Sequence, residues 1–152
     1  MEPAMGRVLC VDWGSKRHGI ALSDALRMTA RGLQTLERPR TREREFERFA
    51  SLVREHSVDL VVLGLPLNMD GTPGTHHDEV VAWGKALSEH LRLDVLLVDE
   101  RRSTMQAARH LKRVGAGGWR KRKERMDEVA AAVILQSWLD GGARRTASAE
   151  EE

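Results

Sequence analysis

The sequence predicts an α/β fold built on a mixed five-stranded sheet with helices on both faces. Three observations carry the prediction. The aliphatic runs Leu60-Val61-Val62-Leu63 and Val95-Leu96-Leu97-Val98 are unbroken, as in strands covered on both sides. Segments of helical periodicity separate and follow these runs. The chain also opens with two closely spaced strand-like segments, whose short connection favours an antiparallel hairpin.

Taken in order, Arg7 to Asp12 reads as the first strand, and Gly14-Ser15-Lys16-Arg17 as the turn into a second from His18 to Ser23. A third strand is expected around Gly32 to Leu36, ended by Pro39, which cannot donate to a ladder. From Thr41 to His56, the residues Phe46, Phe49, Ala50 and Val53 fall on one helical face. Gly64 and Pro66 end the Leu60–Leu63 strand, and the stretch from Asn68 to Gly74 is turn chemistry. Val80, Gly84, Leu87 and Leu91 mark a second helix, and Val95 to Val98 a strand running straight into Asp99-Glu100-Arg101. Ser103 and Gln106 match a capping box for a helix through Leu111. Gly115, Gly117 and Gly118, with the basic run up to Lys123, predict a mobile loop. The last helix is expected from Glu124 to Leu139, stopping before Gly141-Gly142. Residues 1–142 are thus read as one domain and 143–152 as a disordered tail.

Composition narrows the function classes. Cys10 is the only cysteine, which excludes an internal disulfide and a cysteine-cluster zinc site and suits a reducing cytoplasm. The longest apolar stretch, Leu60 to Leu67, contains a glycine and a proline and falls far short of the ~20 residues that cross a bilayer. No secretory signal is visible, so a soluble cytoplasmic protein without a membrane partner is expected. Net charge is only +2, but the basic residues are clustered. Arg38, Arg40, Arg42, Arg44 and Arg48 form one group; Lys112, Arg113, Arg120, Lys121, Arg122, Lys123 and Arg125 form another. Such groups match nucleic-acid phosphates, and equally describe a solvated face. Trp119, inside the second group, is the better base-stacking candidate, whereas Trp83 and Trp138 are expected to pack on helix faces. His76 and His77 are adjacent and read as surface residues rather than joint metal ligands.

Three acids stand where chemistry is possible. Asp12 ends an aliphatic strand at a turn, where a carboxylate faces a cleft on a rigid backbone; turn aspartates also commonly bond their own backbone. Asp99 and Glu100 end a second strand, and because successive residues point to opposite faces, only one of them can join Asp12. Periodicity does not choose between them. Asp127 is expected in the first turn of the last helix, where the helix dipole alone would favour an acid. However, Ala131, Ile134 and Trp138 continue its stripe towards the sheet, which argues for a site. Carboxylates gathered in one place repel unless a cation lies between them, and oxygen-only ligation selects Mg²⁺ or Mn²⁺. Two such ions support phosphodiester hydrolysis.

Four ordered motifs spanning nearly the whole chain resemble those of the YqgF/RuvX family. They are Asp12-Trp13-Gly14-Ser15-Lys16-Arg17-His18-Gly19 with Ile20 to Asp24, Gly64-Leu65-Pro66-Leu67-Asn68-Met69-Asp70-Gly71-Thr72, Asp99-Glu100-Arg101 with Ser103-Thr104, and Lys123 to Asp127 with Ala130-Ala131 and Ile134-Leu135-Gln136. The resemblance implies an RNase H-like fold and a nuclease acting on the 5′ end of pre-16S rRNA, or alternatively a resolvase or flap nuclease for branched DNA. It implies Asp12, Glu100 and Asp127 as catalytic and metal-binding acids. It also implies Lys16 and Arg17 beside the scissile phosphate; Arg101, Trp119, Arg120, Lys121, Arg122 and Lys123 are further expected nucleic-acid contacts on account of their charge and, for Trp119, its place in the basic run. A monomer suits RNA processing, and a homodimer suits the two symmetric cuts of a junction. Three departures stand out: Gly64-Leu65-Pro66 occupies the strand end where related resolvases carry an acid, Ala131 follows Asp127 where a second helical acid is usual, and His18 replaces an aliphatic residue. A degenerate, non-catalytic nucleic-acid-binding module is therefore a further reading. Asp-x-Gly also occurs in actin-like and sugar-kinase-like ATP binders, but those need two duplicated domains, and 152 residues provide one.

Overall fold

The computed structural model describes residues 6–66, 68, 70–100 and 119–142, with the backbone alone at 119–125 and 142. Strands β1 (Arg7–Asp12) and β2 (Arg17–Ser23) form an antiparallel hairpin, and β3 (Ala30–Glu37) adds antiparallel to β2. Strands β4 (Val58–Leu65) and β5 (Asp94–Asp99) continue the other side of β1 in parallel. The order β3-β2-β1-β4-β5 is the expected mixed five-stranded sheet, with β1 at its centre. The unbroken apolar strands β1 and β4 lie in its middle, where both faces need cover.

Helices α1 (Arg42–His56) and α2 (His77–Leu91) cover one face, and α3 (Trp119–Ser137), ending in a π-helical turn at Trp138–Gly142, covers the other. Thr41 caps α1 by accepting a hydrogen bond from the Arg44 N–H, 3.2 Å. Alternation along β1 sends Leu9 and Val11 to the α1–α2 core, with Phe49 and Trp83, and sends Val8 and Cys10 to the α3 core, with Ala131, Ile134 and Trp138. Trp83 and Trp138 are buried, as their helical spacing predicts. Among the described residues no helix is long and apolar enough to cross a membrane.

The start of α3 differs from the sequence expectation. The helix begins at Trp119, not near Glu124, so the basic stretch to Lys123 is helical backbone rather than loop. Arginine and lysine are good helix formers, so the basic stretch Arg120 to Lys123 is compatible with helix. Asp127 consequently stands in the third turn, where the helix-dipole explanation no longer applies. Arg101, the capping-box helix of 103–111, the glycines of 115–118 and the tail of 143–152 lie outside the described residues.

Two anchors fix where α3 lies. At one end, the Gln136 side chain accepts from the Ala30 N–H at 2.8 Å and donates to the Met28 carbonyl at 3.0 Å. At the other, the helix backbone rests directly on Gly19, where an added Cβ would come within 1.9 Å of the Asp127 carbonyl oxygen. Only a residue without a side chain permits that approach. Gly19→Ala is therefore expected to push α3 off the sheet and destabilise the protein by about 3 kcal/mol. Urea denaturation reads this directly, and an unchanged midpoint would show that α3 does not depend on the contact.

Candidate active site

The carboxyl ends of β1, β4 and β5 lie at one end of the sheet, and the polar residues of interest gather there. Asp12 closes β1 on the same face as Val8 and Cys10, and therefore points to the α3 side. Leu96 and Val98 of β5 also belong to the α3 core, so Glu100, two residues on, shares their side while Asp99 takes the other. That parity decides the question the aliphatic run Val95–Val98 left open. The Asp12 and Glu100 carboxyls are hydrogen-bonded to each other.

Gly64 makes this meeting possible. A Cβ on Gly64 would stand 2.5 Å from Glu100 Oε2 and 3.1 Å from Ile134 Cδ1, so the Glu100 carboxyl fills the space over the end of β4. The absence of an acid from the end of β4 and the presence of Glu100 there are two sides of one packing fact. In the sequence Gly64 reads as a strand-exit signal and as a strand end lacking an acid, and nothing local shows that it makes room for Glu100.

Asp127 reaches the site through α3. Its backbone lies over Gly19, and Gly19 is the register partner of Asp12 across the β1–β2 ladder. Its carboxylate forms an ion pair with the Arg17 guanidinium, and its charge is felt at Asp12. Lys16 is exposed on the β1–β2 turn. Asp12, Glu100, Asp127, Lys16 and Arg17 are thus brought to one end of the sheet. Trp119, Arg120, Lys121, Arg122 and Lys123 are placed by backbone only, in the first turns of α3. Trp13 does not face this site: it joins the α1–α2 core, its ring against His76 at 5.2 Å between centroids.

Burial and mutual repulsion dominate the electrostatics. Burial pushes the Asp12 carboxyl well above its ordinary range, and the Glu100 charge and hydrogen bond and the Asp127 charge push it further. Glu100 is raised as well, by burial and by Asp99, while its hydrogen bond from Asp12 opposes the rise. The pair thus tends to keep a shared proton, with Asp12 as donor. Cys10 is buried, and burial followed by the charges of Asp12 and Glu100 raises its thiol, so it is no nucleophile. Among the described residues no three His, Cys, Asp or Glu side chains are grouped to hold a metal ion. Asp12 and Glu100 meet, whereas Asp127 is engaged by Arg17.

A mixed sheet of this order, with acids at the ends of its central and outer parallel strands and a helix crossing the same face, defines an RNase H-like protein. The chain belongs to the RuvX family, described as "Holliday junction resolvase", whose pattern matches residues 6–141. It is 43% identical over 135 residues to a Bacillus cytotoxicus protein named "Putative pre-16S rRNA nuclease", covering 88% of this chain and 98% of the relative. A Desulforamulus reducens protein of the same name is 40% identical over 138 residues, covering 91% and 99%. Among solved structures, Thermus thermophilus RuvC in complex with a Holliday junction substrate superposes with a TM-score of 0.55 at 13% identity, over 90% of this chain and 96% of that one. The yeast mitochondrial Holliday junction resolvase Ydc2 gives 0.52 at 10% identity, over 95% and 81%. These two likenesses concern the fold.

The raised carboxyls have a thermodynamic consequence. The folded state binds more protons at Asp12 and Glu100 than the unfolded chain does, so they weaken stability as pH rises from the ordinary carboxylate range through their folded values. Asp12→Asn removes this penalty. The variant is expected to melt above the wild type at pH 8, each kcal/mol being worth roughly 3 °C in a domain of this size. The gap should close as pH falls into the carboxylate range; a gap independent of pH would contradict the raised, hydrogen-bonded acid pair.

Proposed function

We propose that the chain is a metal-dependent nuclease that hydrolyses phosphodiester bonds, with the 5′ end of pre-16S rRNA as its substrate. The observation that carries this reading is the half-buried, mutually hydrogen-bonded Asp12–Glu100 pair at the end of the central strand, on the face crossed by α3. Two carboxyls held together at the cost of retaining a proton are a site built for a cation. Their oxygens fit a hard divalent ion, Mg²⁺ or Mn²⁺. Asp12 and Glu100 would hold it, with Asp127 as the third ligand once free of Arg17. When bound, such an ion supplies charge compensation and Lewis-acid activation of water.

The remaining work falls to the protein's own cations. Lys16 and Arg17 share the turn that follows Asp12, where they bind and orient the scissile phosphate. Arg17 already holds one anion, Asp127, and exchanges it for the phosphate. Arg120 to Lys123 lie roughly 6–10 Å before Asp127 along the helix axis. With Arg101 and Trp119, they are assigned to flanking phosphates and an unpaired base.

The names carried by the 40–43% identical relatives favour ribosomal RNA as substrate. The family description favours a second reading, cleavage of branched DNA by a homodimer, because a four-way junction needs two symmetric cuts. A monomer in the reducing cytoplasm fits the first reading. The deciding assay is cleavage of a labelled pre-16S 5′ leader and of a labelled four-way DNA junction, with Mg²⁺ or Mn²⁺, by the wild type, Asp12→Asn and Glu100→Gln. Each variant is expected to lose at least about 100-fold in rate, equivalent to roughly 2.7 kcal/mol of transition-state stabilisation. The leader should be cut in preference to the junction. Preference for the junction would select the DNA reading, and binding of either without cutting would leave a non-catalytic binding module.

A further inference from the structure

On the face of the sheet opposite the acids, a buried polar group reaches back to the catalytic turn. Glu45 of α1 is almost fully buried, and both of its oxygens are used. Oε1 accepts from Trp83 Nε1 at 2.9 Å and from an Arg38 terminal nitrogen at 3.4 Å. Oε2 accepts from Arg38 Nε at 2.6 Å and bonds His18 Nε2 at 2.7 Å. Burial alone would raise this carboxyl, but the hydrogen bonds from His18, Trp83 and Arg38 outweigh it and hold it at about 2. Glu45 is therefore an anion at every working pH. His18 is fully buried, and burial lowers its affinity for a second proton despite Glu45. The ring is neutral, with a single N–H.

The position of that hydrogen follows from its neighbours. Against the Glu45 carboxylate, Nε2 must donate. Nδ1 is then left as an acceptor, and the Gly14 N–H donates to it at 3.2 Å. The other side of the same residue is held too, since Arg38 Nη1 donates to the Gly14 carbonyl at 3.3 Å. The Arg38 backbone N–H donates to the Lys16 carbonyl at 3.0 Å, and the guanidinium lies over the Trp13 ring, 5.1 Å from its centroid. One buried carboxylate thus orients two side chains, and those two grip both the N–H and the C=O of Gly14. Any side chain at Gly14 would collide with the Arg17 carbonyl oxygen, with a Cβ only 2.1 Å away, so the turn is wound as tightly as glycine allows.

We propose that His18, Arg38 and Glu45 are positioning residues of the nuclease site: through Gly14 they fix the turn that carries Asp12 at its start and Lys16 and Arg17 at its end. This rests on the nuclease reading for its purpose, but not for its geometry. An aliphatic residue at position 18 would fill the same apolar space and leave the Gly14 N–H without its partner. A chain that needed only a packed core there would gain nothing from burying an ionised glutamate and a neutral histidine, which is costly unless every lone pair is matched.

The test uses the full chain and two substitutions that each retain half of the histidine. In His18→Asn the amide oxygen replaces Nδ1 and still accepts from Gly14. In His18→Gln the amide nitrogen replaces Nε2 and still donates to Glu45, but Gly14 loses its acceptor. Both change the core by similar amounts, so a purely structural role would affect them alike. Amide hydrogen exchange at Gly14 is expected to be about 10-fold faster in His18→Gln than in His18→Asn. Cleavage of the preferred substrate should fall in the same order. In the wild type, the ¹⁵N resonances of the His18 ring should show Nε2 protonated and Nδ1 bare. Equal Gly14 exchange in the two variants, or a wild-type ring protonated on Nδ1, overturns the proposal. If either variant fails to fold, the wild-type ring nitrogens decide alone. Neither NMR readout requires a substrate, so a wild type that cuts nothing would defeat the nuclease reading and leave the clamp judged on its own.

Discussion

The close approach of α3 to the β1–β2 hairpin at Gly19 governs the rest of the site, because it sets how far an acid on the helix lies from one at the strand end. The helix backbone touches the strand where Gly19 leaves room, and Gly19 faces Asp12 across the ladder. Gln136 fixes the far end of the helix against β3. Between these anchors, Ala131, Ile134 and Leu135 fill the α3 core, so the helix has little freedom to slide or turn. The position of Asp127 is therefore a property of the packing and needs no rigid side-chain contact of its own.

A second glycine performs the complementary task on the other side of β1. Gly64 leaves an opening over the end of β4, and Glu100 extends across it from β5 to meet Asp12. A strand end can thus obtain its carboxylate from its own residue or from a neighbour's longer side chain, provided that the strand's own Cβ is absent. The two acids meet in a place where burial penalises their ionised forms, and the shared proton is the mark of that penalty. The same arrangement that disfavours charge in the free protein favours a cation.

The two faces of the sheet divide the labour. The α3 face carries the acids, and the α1–α2 face carries the aromatic core of Phe46, Phe49 and Trp83 with Glu45 embedded in it. The hairpin turn is where the two communicate, since Arg17 points to Asp127 on one face and His18 to Glu45 on the other. Adjacent residues of a strand necessarily diverge in this way. Rigidity built in a buried polar group is thereby delivered to residues that must meet a flexible polyanion.

The order of elements was legible in the sequence because it rests on local periodicity. Of the two unbroken runs, Leu60–Leu63 became β4 beside the central strand and Val95–Val98 became β5 at the sheet edge; the Thr41–His56 segment became α1, Asp12 closed β1, and Ala131, Ile134 and Trp138 formed the buried stripe below Asp127. The resemblance of four short motifs likewise singled out Glu100. What periodicity could not supply was the choice between Asp99 and Glu100, since a fully apolar strand hides which side each residue faces until both faces are covered. The start of α3 was misplaced because glycines beside a basic run look like loop chemistry, whereas Trp119 to Lys123 are already helical. The opening at Gly64, the Arg17–Asp127 pair and the bond between His18 and Glu45, 27 residues apart, belong to tertiary structure alone. Each depends on the distance between segments remote in the chain, and only the packed sheet and its helices set that distance.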